Sequence, residues 1–210
     1  MVEKTGNHSS STSEAAVASD PTRSIADPAP LGLAAFALTT FVLSVFNAGL
    51  LPKDLEPVVL PLALFYGGLA QLLAGMWEFR KANTFGALAF TSYGSFWLAF
   101  AAYVKFVEES LPNADTATAL FLFAFGVFTA YMTVAALRVN VATLLVFVFL
   151  TLTFLVLAAA DASGAKGVAH IGGYLGLVTA VLAWYTSFAG VTNFTWKRTV
   201  IPVGPLAPTE

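Results

Sequence analysis

Hydrophobic residues run along this chain in six long blocks, and short polar stretches separate them. A helix needs about 20 mostly apolar residues to cross the hydrocarbon core of a bilayer, and each block reaches or approaches that length. The breaks, such as LPKDLEP and DASGAK, contain the charged residues, prolines and glycines that end helices. The pattern therefore predicts an all-α membrane protein with six transmembrane helices, at residues 31–51, 58–79, 85–107, 116–137, 141–160 and 167–190.

Two polar stretches flank these blocks. Residues 1–26 are rich in Ser, Thr and Ala and lack an apolar core, so they predict a disordered tail. Residues 201–210 contain three prolines and a glycine, which predict a short second tail. The six-helix domain is then residues 27–200. It opens on DPAP, where Asp27 can cap the first helix and the two prolines fit its first turn.

The composition excludes several classes of protein. Hydrophobic residues make up 58% of the chain and charged residues 10%, whereas a soluble domain carries about 25% charged residues. A net charge of −2 gives no reason to expect a nucleic-acid partner, and the absence of Cys excludes thiol chemistry. No nucleophile–base pair, metal-ligand cluster or phosphate-binding loop is recognisable, so we expect no enzyme, metal site or cofactor.

The distribution of positive charge predicts the orientation. Six crossings place both chain ends on one side, with seven of the ten Lys and Arg residues. Only Lys53, Lys105 and Lys166 lie on the other side. Because positively charged loops stay in the cytoplasm, both termini are predicted to be cytoplasmic, in a multi-pass protein of the plasma membrane.

The spans contain polar side chains but no charge at mid-depth. Glu78, Lys105 and Arg138 come closest to the interior, each near the end of a span. This argues against a pump that runs on buried ion pairs. The uncharged polar groups either join helices or line a narrow lumen, and those at helical spacing include Thr39, Thr40, Asn47, Gln71, Tyr93, Ser95 and Thr151.

His170 begins the sixth block and has two interpretations. It is either a hydrogen-bonded residue at the interface or a proton-sensitive switch.

Five motifs carry a resemblance to a known family. DPAPLGL, FYGGLAQ (65–71), NTFG (83–86), TSYGSFW (91–97) and RTVIPVG (198–204) resemble the acetate uptake transporters, which are the succinate–acetate permeases of bacteria and the ammonia/acetate export proteins of fungi. The match covers about residues 26–204. It implies six spans per protomer, a homohexamer with one pore in each protomer, and transport of acetate and related short carboxylates.

The resemblance also implies site residues. The family's pore narrows at three apolar or aromatic side chains, which correspond here to Phe36, Tyr93 and Leu150. Gln71 matches the glutamine of the FYGG motif, and the loop that follows supplies Asn83 and Thr84. One departure is Asp27, where the family usually has Asn; a carboxylate there would either point away from an anion or favour the protonated acid.

Together these features predict transport of acetate and similar monocarboxylates, with succinate as a further candidate substrate. The expected partners are the acid, protons, the lipid bilayer and further copies of the chain, and the mode is either proton symport or channel-like flux. Two alternatives stay open. One is a channel for ammonia, urea or water, and the other is a membrane acetate sensor that signals through its Ser-rich tail.

Overall fold

The structure, a computed structural model, describes residues 25–206. The predicted N-terminal tail lies outside the described residues except for its last two. Apart from one isolated bridge between Asn140 and Pro205, the regular elements of the described residues are all helical. The seven α-helices are α1 (Ala29–Asn47), α2 (Val59–Leu64), α3 (Gln71–Arg80), α4 (Thr84–Phe106), α5 (Ala114–Ala136), α6 (Val141–Ser163) and α7 (Lys166–Thr195).

These helices make six crossings, which confirms the predicted all-α membrane fold. α1, α4, α5, α6 and α7 are each long and apolar enough to span a bilayer, and Lys53–Arg80 forms the remaining span. Because the number of crossings is even, residues 25–28 and the segment after α7 lie on one face of the bundle. We call this the near face, and the opposite one the far face.

The second crossing is irregular along its length. It begins with a 3-10 turn at Lys53–Val58, continues as α2, passes through a π-helical turn at Phe65–Ala70 and ends as α3. Pro57 lies within the 3-10 turn, where the missing N–H of proline is tolerated more easily than in a helix interior. The π-turn contains the two glycines of the FYGG motif, and both are buried against neighbouring helices.

The start of α1 differs by one residue from the capping expected from DPAP, because Pro28 takes the cap position and Asp27 lies just before it. Asp27 Oδ1 accepts a hydrogen bond from the Ala29 N–H at 3.2 Å, which satisfies one of the free donors of the first turn. Pro28 is the residue at the cap, and Pro30 lies in the first turn. At the other end of the bundle, Gly164 ends α6 with φ +66°, a conformation that glycine adopts without a steric penalty.

Close helix contacts depend on glycines. On α7, a Cβ at Gly173 would overlap the backbone of Ala48, and one at Gly176 would overlap the Ser44 hydroxyl. These are two of the glycines of the GGYLG stretch. On α4, a Cβ at Gly94 would lie 2.6 Å from the Leu72 nitrogen. Small residues therefore let the helix backbones touch, as is typical of membrane bundles.

Residues 201–206, the described part of the predicted second tail, pack on the near face. The Val141 and Ala142 N–H groups at the start of α6 donate to Gly204 and Val203 carbonyl oxygens at 2.7 and 3.1 Å. The Asn193 side chain of α7 donates to the Ile201 carbonyl and accepts from the Ile201 N–H. This segment thus satisfies free donors at the N-terminus of α6.

The contact between α1 and α7 gives a first testable prediction. Alanine is a better helix former than glycine by about 1 kcal/mol, so Gly167→Ala should leave stability unchanged or raise it, because nothing lies within 4 Å of a Cβ there. Gly173→Ala should lower the unfolding temperature, because its methyl group meets the α1 backbone. Thermal unfolding in detergent measures both variants. Equal stability of the two would contradict this account of the helix contact.

Candidate transport pathway

A cavity of about 580 Å³ opens from the far face into the bundle. Its walls come from α1, the second crossing, α4, α5, α6 and the start of α7. Aromatic and aliphatic side chains line most of it, and polar groups lie among them. The lining includes Phe36, Thr40, Asn47, Phe96, Trp97, Phe100, Leu150, Phe154 and Leu157.

A second cavity of about 240 Å³ lies at the near face. Asp27 and Pro30 line it from the start of α1, and the start of α4 contributes Asn83 and Phe85. The remaining wall comes from α6, α7 and the C-terminal segment, with Asn140, Thr143, Phe147, Asn193 and Val203.

An aromatic layer separates the two cavities. Tyr93 on α4 is its centre and is only 3% exposed. Its ring centroid lies 5.8 Å from that of Phe36, 6.1 Å from Phe147 and 6.5 Å from Phe154. Phe36, Leu150 and Phe154 face the far cavity, whereas Phe147 faces the near cavity. Of the three residues expected at a constriction, Tyr93 lies between the two cavities, and Phe36 and Leu150 line the far one.

A hydrogen bond fixes the Tyr93 ring within this layer. The Tyr93 hydroxyl lies 2.9 Å from Thr129 Oγ1 on α5. The Thr129 hydroxyl donates to the Phe125 carbonyl at 2.7 Å, so its oxygen is left to accept from Tyr93. The ring is held by its polar end and by aromatic contacts on its faces and edges.

Two polar groups deep in the far cavity have no hydrogen-bond partner among the described residues. They are the Trp97 indole nitrogen and the Thr40 hydroxyl, on side chains that are 3% and 6% exposed. A buried polar group without a partner is costly, at about 1–3 kcal/mol. Both residues belong to the cavity lining, so the wall of the far cavity contains two polar atoms with unmet hydrogen-bonding capacity. Sequence reasoning selected Thr40 and missed Trp97, although Trp97 ends the TSYGSFW motif.

The other predicted site residues fall into two groups. Asn47 lines the far cavity, where its Oδ1 lies 3.5 Å from Lys53 Nζ, and Asn83 lines the near cavity. The rest lie outside both cavities. Thr39 and Gln71 are buried between helices, Thr151 bonds to Thr133 on α5 at 3.0 Å, and the exposed pair is Thr84 and Ser95.

Titratable side chains line the far cavity toward its mouth. Lys53 forms an ion pair with Glu56 at 3.0 Å, and Glu108, Asp161, Lys166 and His170 also belong to the lining. Burial raises the pKa of Glu108 above its usual value, and the negative charges of Glu56 and Asp115 raise it further. His170 on α7 packs against the turn that follows α1, where its Nε2 would be 2.7 Å from a Cβ on Gly49.

Asp27, the residue that departs from the family pattern, lines the near cavity and is paired there. Its Oδ1 lies 2.9 Å from Lys81 Nζ. The ammonium group offsets the carboxylate, so this acid places little net negative charge at the near opening.

Six apolar crossings with a cavity at each face, and an aromatic layer between them, define a multi-pass membrane protein with a pathway for small solutes. A family model described as the GPR1/FUN34/yaaH family matches residues 10–208. The chain belongs to this family, which confirms the resemblance found in the sequence motifs.

Individual relatives agree with this membership. Acetate permease A of Emericella nidulans is 43% identical over 206 residues, which cover 89% of this chain and 69% of that protein. The succinate-acetate/proton symporter SatP of Escherichia coli K12 is 40% identical over 182 residues, covering 86% and 96%. A solved structure of the bacterial acetate channel SatP superposes with a TM-score of 0.81 at 38% identity, covering 86% of this chain and 99% of that one.

The bond between Tyr93 and Thr129 gives a second prediction. Thr129→Val keeps the shape of the side chain but leaves the buried tyrosine hydroxyl without an acceptor, so it should lower the free energy of unfolding by about 1–3 kcal/mol. The double variant Tyr93→Phe with Thr129→Val should recover much of that loss, because both polar partners are then gone. Thermal unfolding in detergent tests the cycle, and strictly additive effects would show that the bond does not contribute.

Proposed function

We propose that this protein transports acetate and related short-chain monocarboxylates across the membrane, through the two cavities and the aromatic layer between them. It acts as a transporter or channel and not as an enzyme. The observation that carries the proposal is the alignment of two opposed cavities on one buried tyrosine. The names of the relatives, which are an acetate permease, a succinate-acetate/proton symporter and an acetate channel, support this choice of substrate.

The far cavity is suited to bind a ligand with one carboxyl group and a short apolar tail. Trp97 offers an indole N–H, which is a donor only, and Thr40 offers a hydroxyl. A carboxyl group accepts hydrogen bonds from both. The neighbouring Phe96, Phe154 and Leu157 surround the tail with apolar surface. Pockets of this kind bind small ligands by a few convergent polar groups in an apolar wall.

The aromatic layer favours the protonated acid. A bare carboxylate loses its hydration when it enters an apolar constriction, and that loss is far more costly than for a neutral group. The carboxyl group of acetic acid resembles that of Glu, whose reference pKa is about 4.3, so the neutral fraction grows as the pH falls. Flux then carries a proton with each acetate, whether by symport or by passage of the acid itself.

We further propose an orientation in the membrane and an oligomeric state for the protein. We propose that both termini lie in the cytoplasm, because seven of the ten Lys and Arg residues belong to the near side. The far cavity would then face outward, across the plasma membrane. A homohexamer with one pathway in each protomer follows from family resemblance, and the mass of the detergent-solubilised protein measured by light scattering tests it.

Acetate uptake into proteoliposomes tests the function. Uptake of labelled acetate should rise as the external pH falls, and internal acidification should accompany it. Tyr93→Ala should raise uptake at neutral pH and weaken its pH dependence, because the layer loses its central ring. Tyr174→Ala, which removes an exposed tyrosine from α7, is the matched control and should behave as wild type.

Two outcomes would count against the proposal. Uptake that is equally fast at high and low pH, without proton movement, would reject passage of the acid. Flux of ammonia, urea or water without any acetate flux would support the alternative channel instead. Acetate transport in purified liposomes would exclude a purely sensory role.

Trp97→Phe tests the proposed carboxyl-binding site in the far cavity, because it removes one hydrogen-bond donor and keeps an aromatic ring. Loss of a hydrogen bond worth about 1–1.5 kcal/mol should raise the half-saturating acetate concentration about 5- to 15-fold. Trp77→Phe alters an exposed indole on α3 and should have no effect. An unchanged half-saturating acetate concentration in Trp97→Phe would show that Trp97 does not bind the carboxyl group. The proposed pathway would be unaffected by that result.

A further inference from the structure

A fully buried carboxyl group lies near the near-face end of α3. Glu78 belongs to the crossing Lys53–Arg80, and its side chain has an exposed fraction of 0%. The sequence placed this residue near the end of a span, where a charge can remain in water. The structure instead encloses it between α3 and the first turn of α4, so it differs from the other acids near the membrane surface.

The two oxygens of Glu78 have different surroundings. Oε2 accepts a hydrogen bond from Asn83 Nδ2 at 2.8 Å. Oε1 is buried and has no partner among the described residues. Asn83 in turn caps α4, because its Oδ1 accepts from the Gly86 N–H at 3.2 Å. Since Asn83 also lines the near cavity, a single amide group connects the cavity wall to the buried acid.

The local packing is adapted to this carboxyl group. A Cβ at Gly86 would lie 2.8 Å from Glu78 Cδ and 2.7 Å from Asn83 Nδ2. Only a glycine in the first turn of α4 leaves room for both side chains. The N-terminus of α4 presents its positive dipole end to this region, which favours the ionised form of an acid placed there.

The charged groups that face Glu78 come from two elements. Asp27 precedes α1, and Lys81 follows α3. These two residues pair with each other at 2.9 Å, so Lys81 is engaged with Asp27, whereas the hydrogen bond to Glu78 comes from a neutral amide. Burial without a directly paired cation favours the neutral form of an acid. The dipole of α4 therefore favours the ionised form of Glu78, whereas burial favours its neutral form.

We propose that Glu78 is a proton-binding site of the transport cycle, which exchanges its proton with the near cavity beside Asn83. The inference rests on the proposed function, because the proton it takes is the one that accompanies the acid. A carboxylic acid or hydronium ion in the near cavity gives up its proton, an O–H bond forms at Glu78 Oε1, and the donor leaves as carboxylate or water.

Protonation also changes the near cavity. An ionised carboxylate accepts a charge-assisted hydrogen bond from Asn83, and that bond weakens when the acid becomes neutral. Asn83 is both the cap of α4 and part of the cavity wall. The occupancy of Glu78 by a proton is therefore linked to the position of a residue that the solute meets.

Further buried oxygens extend from Glu78 toward the aromatic layer. Gln71, Gly75 and Glu78 follow i, i+4, i+7 and share one face of α3, and Gly75 lies against the Thr91 hydroxyl of α4. Gln71 Oε1 and Thr91 Oγ1 are buried without a partner among the described residues, like Glu78 Oε1. Thr91 is two residues from Tyr93. These oxygens form a buried polar strip along the contact between α3 and α4.

The experiment compares Glu78→Gln with Glu109→Gln in proteoliposomes, with acetate uptake and internal acidification recorded together. Glu78→Gln keeps the size and the hydrogen bonding of the protonated acid but cannot titrate. We expect it to lose the proton influx that accompanies acetate and to lose most of the pH dependence of uptake. Glu109→Gln makes the same change at an exposed acid that lines neither cavity, and should keep both. An unchanged ratio of protons to acetate in Glu78→Gln would overturn the proposal.

An infrared titration gives a readout that does not depend on transport. Protein with ¹³C-labelled Glu carboxyl groups is followed in detergent from about pH 5 to about pH 8, the range in which physiological switches titrate. We expect a protonated-carboxyl band that fades as the pH rises, is absent in Glu78→Gln and shifts in Asn83→Ala. If Glu78→Gln does not fold, the wild-type band and its shift in Asn83→Ala still decide the matter.

The two measurements separate the possible failures. A wild-type protein that moves no acetate but shows the titrating band would reject the proposed function and keep the proton site. Acetate transport with no titrating band assigned to Glu78 would keep the function and overturn the proton site.

Discussion

The arrangement of the pathway depends on the contacts that the buried ring of Tyr93 makes. Its faces and edges meet phenylalanines from α1 and α6, and its hydroxyl is held by Thr129 on α5. The ring therefore joins four helices at mid-depth. Its ring partners belong to the linings of both cavities, so Tyr93 and these partners fill the space between them.

The polar groups of the bundle divide according to whether they have a protein partner. Several threonines are satisfied by carbonyl oxygens four residues earlier in their own helix, such as Thr151, Thr153 and Thr179. They serve helix packing. Trp97, Thr40, Gln71, Thr91 and Glu78 carry buried atoms without a partner among the described residues. All five belong to the first three crossings, so that part of the bundle carries the groups available to solute and proton.

The sequence predicted the number of crossings because hydrophobic length and polar breaks follow directly from the thickness of the bilayer. The motifs pointed to Phe36 and Tyr93, whose rings pack against each other in the aromatic layer. The sequence was less able to distinguish residues that line the pathway from residues that form helix contacts. Thr39 and Ser95 have the same kind of side chain as Thr40, but rotation about the helix axis turns Thr39 into a helix contact and Ser95 outward. The π-turn at Phe65–Ala70 adds a further rotation that the regular 3.6-residue period does not include. Trp97 and Glu78 were missed because an apolar ring and an acid near a span end give no sign of being enclosed.

The unequal size of the two cavities has a practical consequence for work with oriented membranes. The far cavity, at about 580 Å³, falls within the range that accommodates drug-sized molecules, whereas the near cavity, at about 240 Å³, falls below it. A bulky aromatic blocker therefore fits only the far cavity and binds from one side of the membrane only. Applied in turn to the outside and the inside of vesicles, such a compound would report how the protein is inserted, without any tag or antibody.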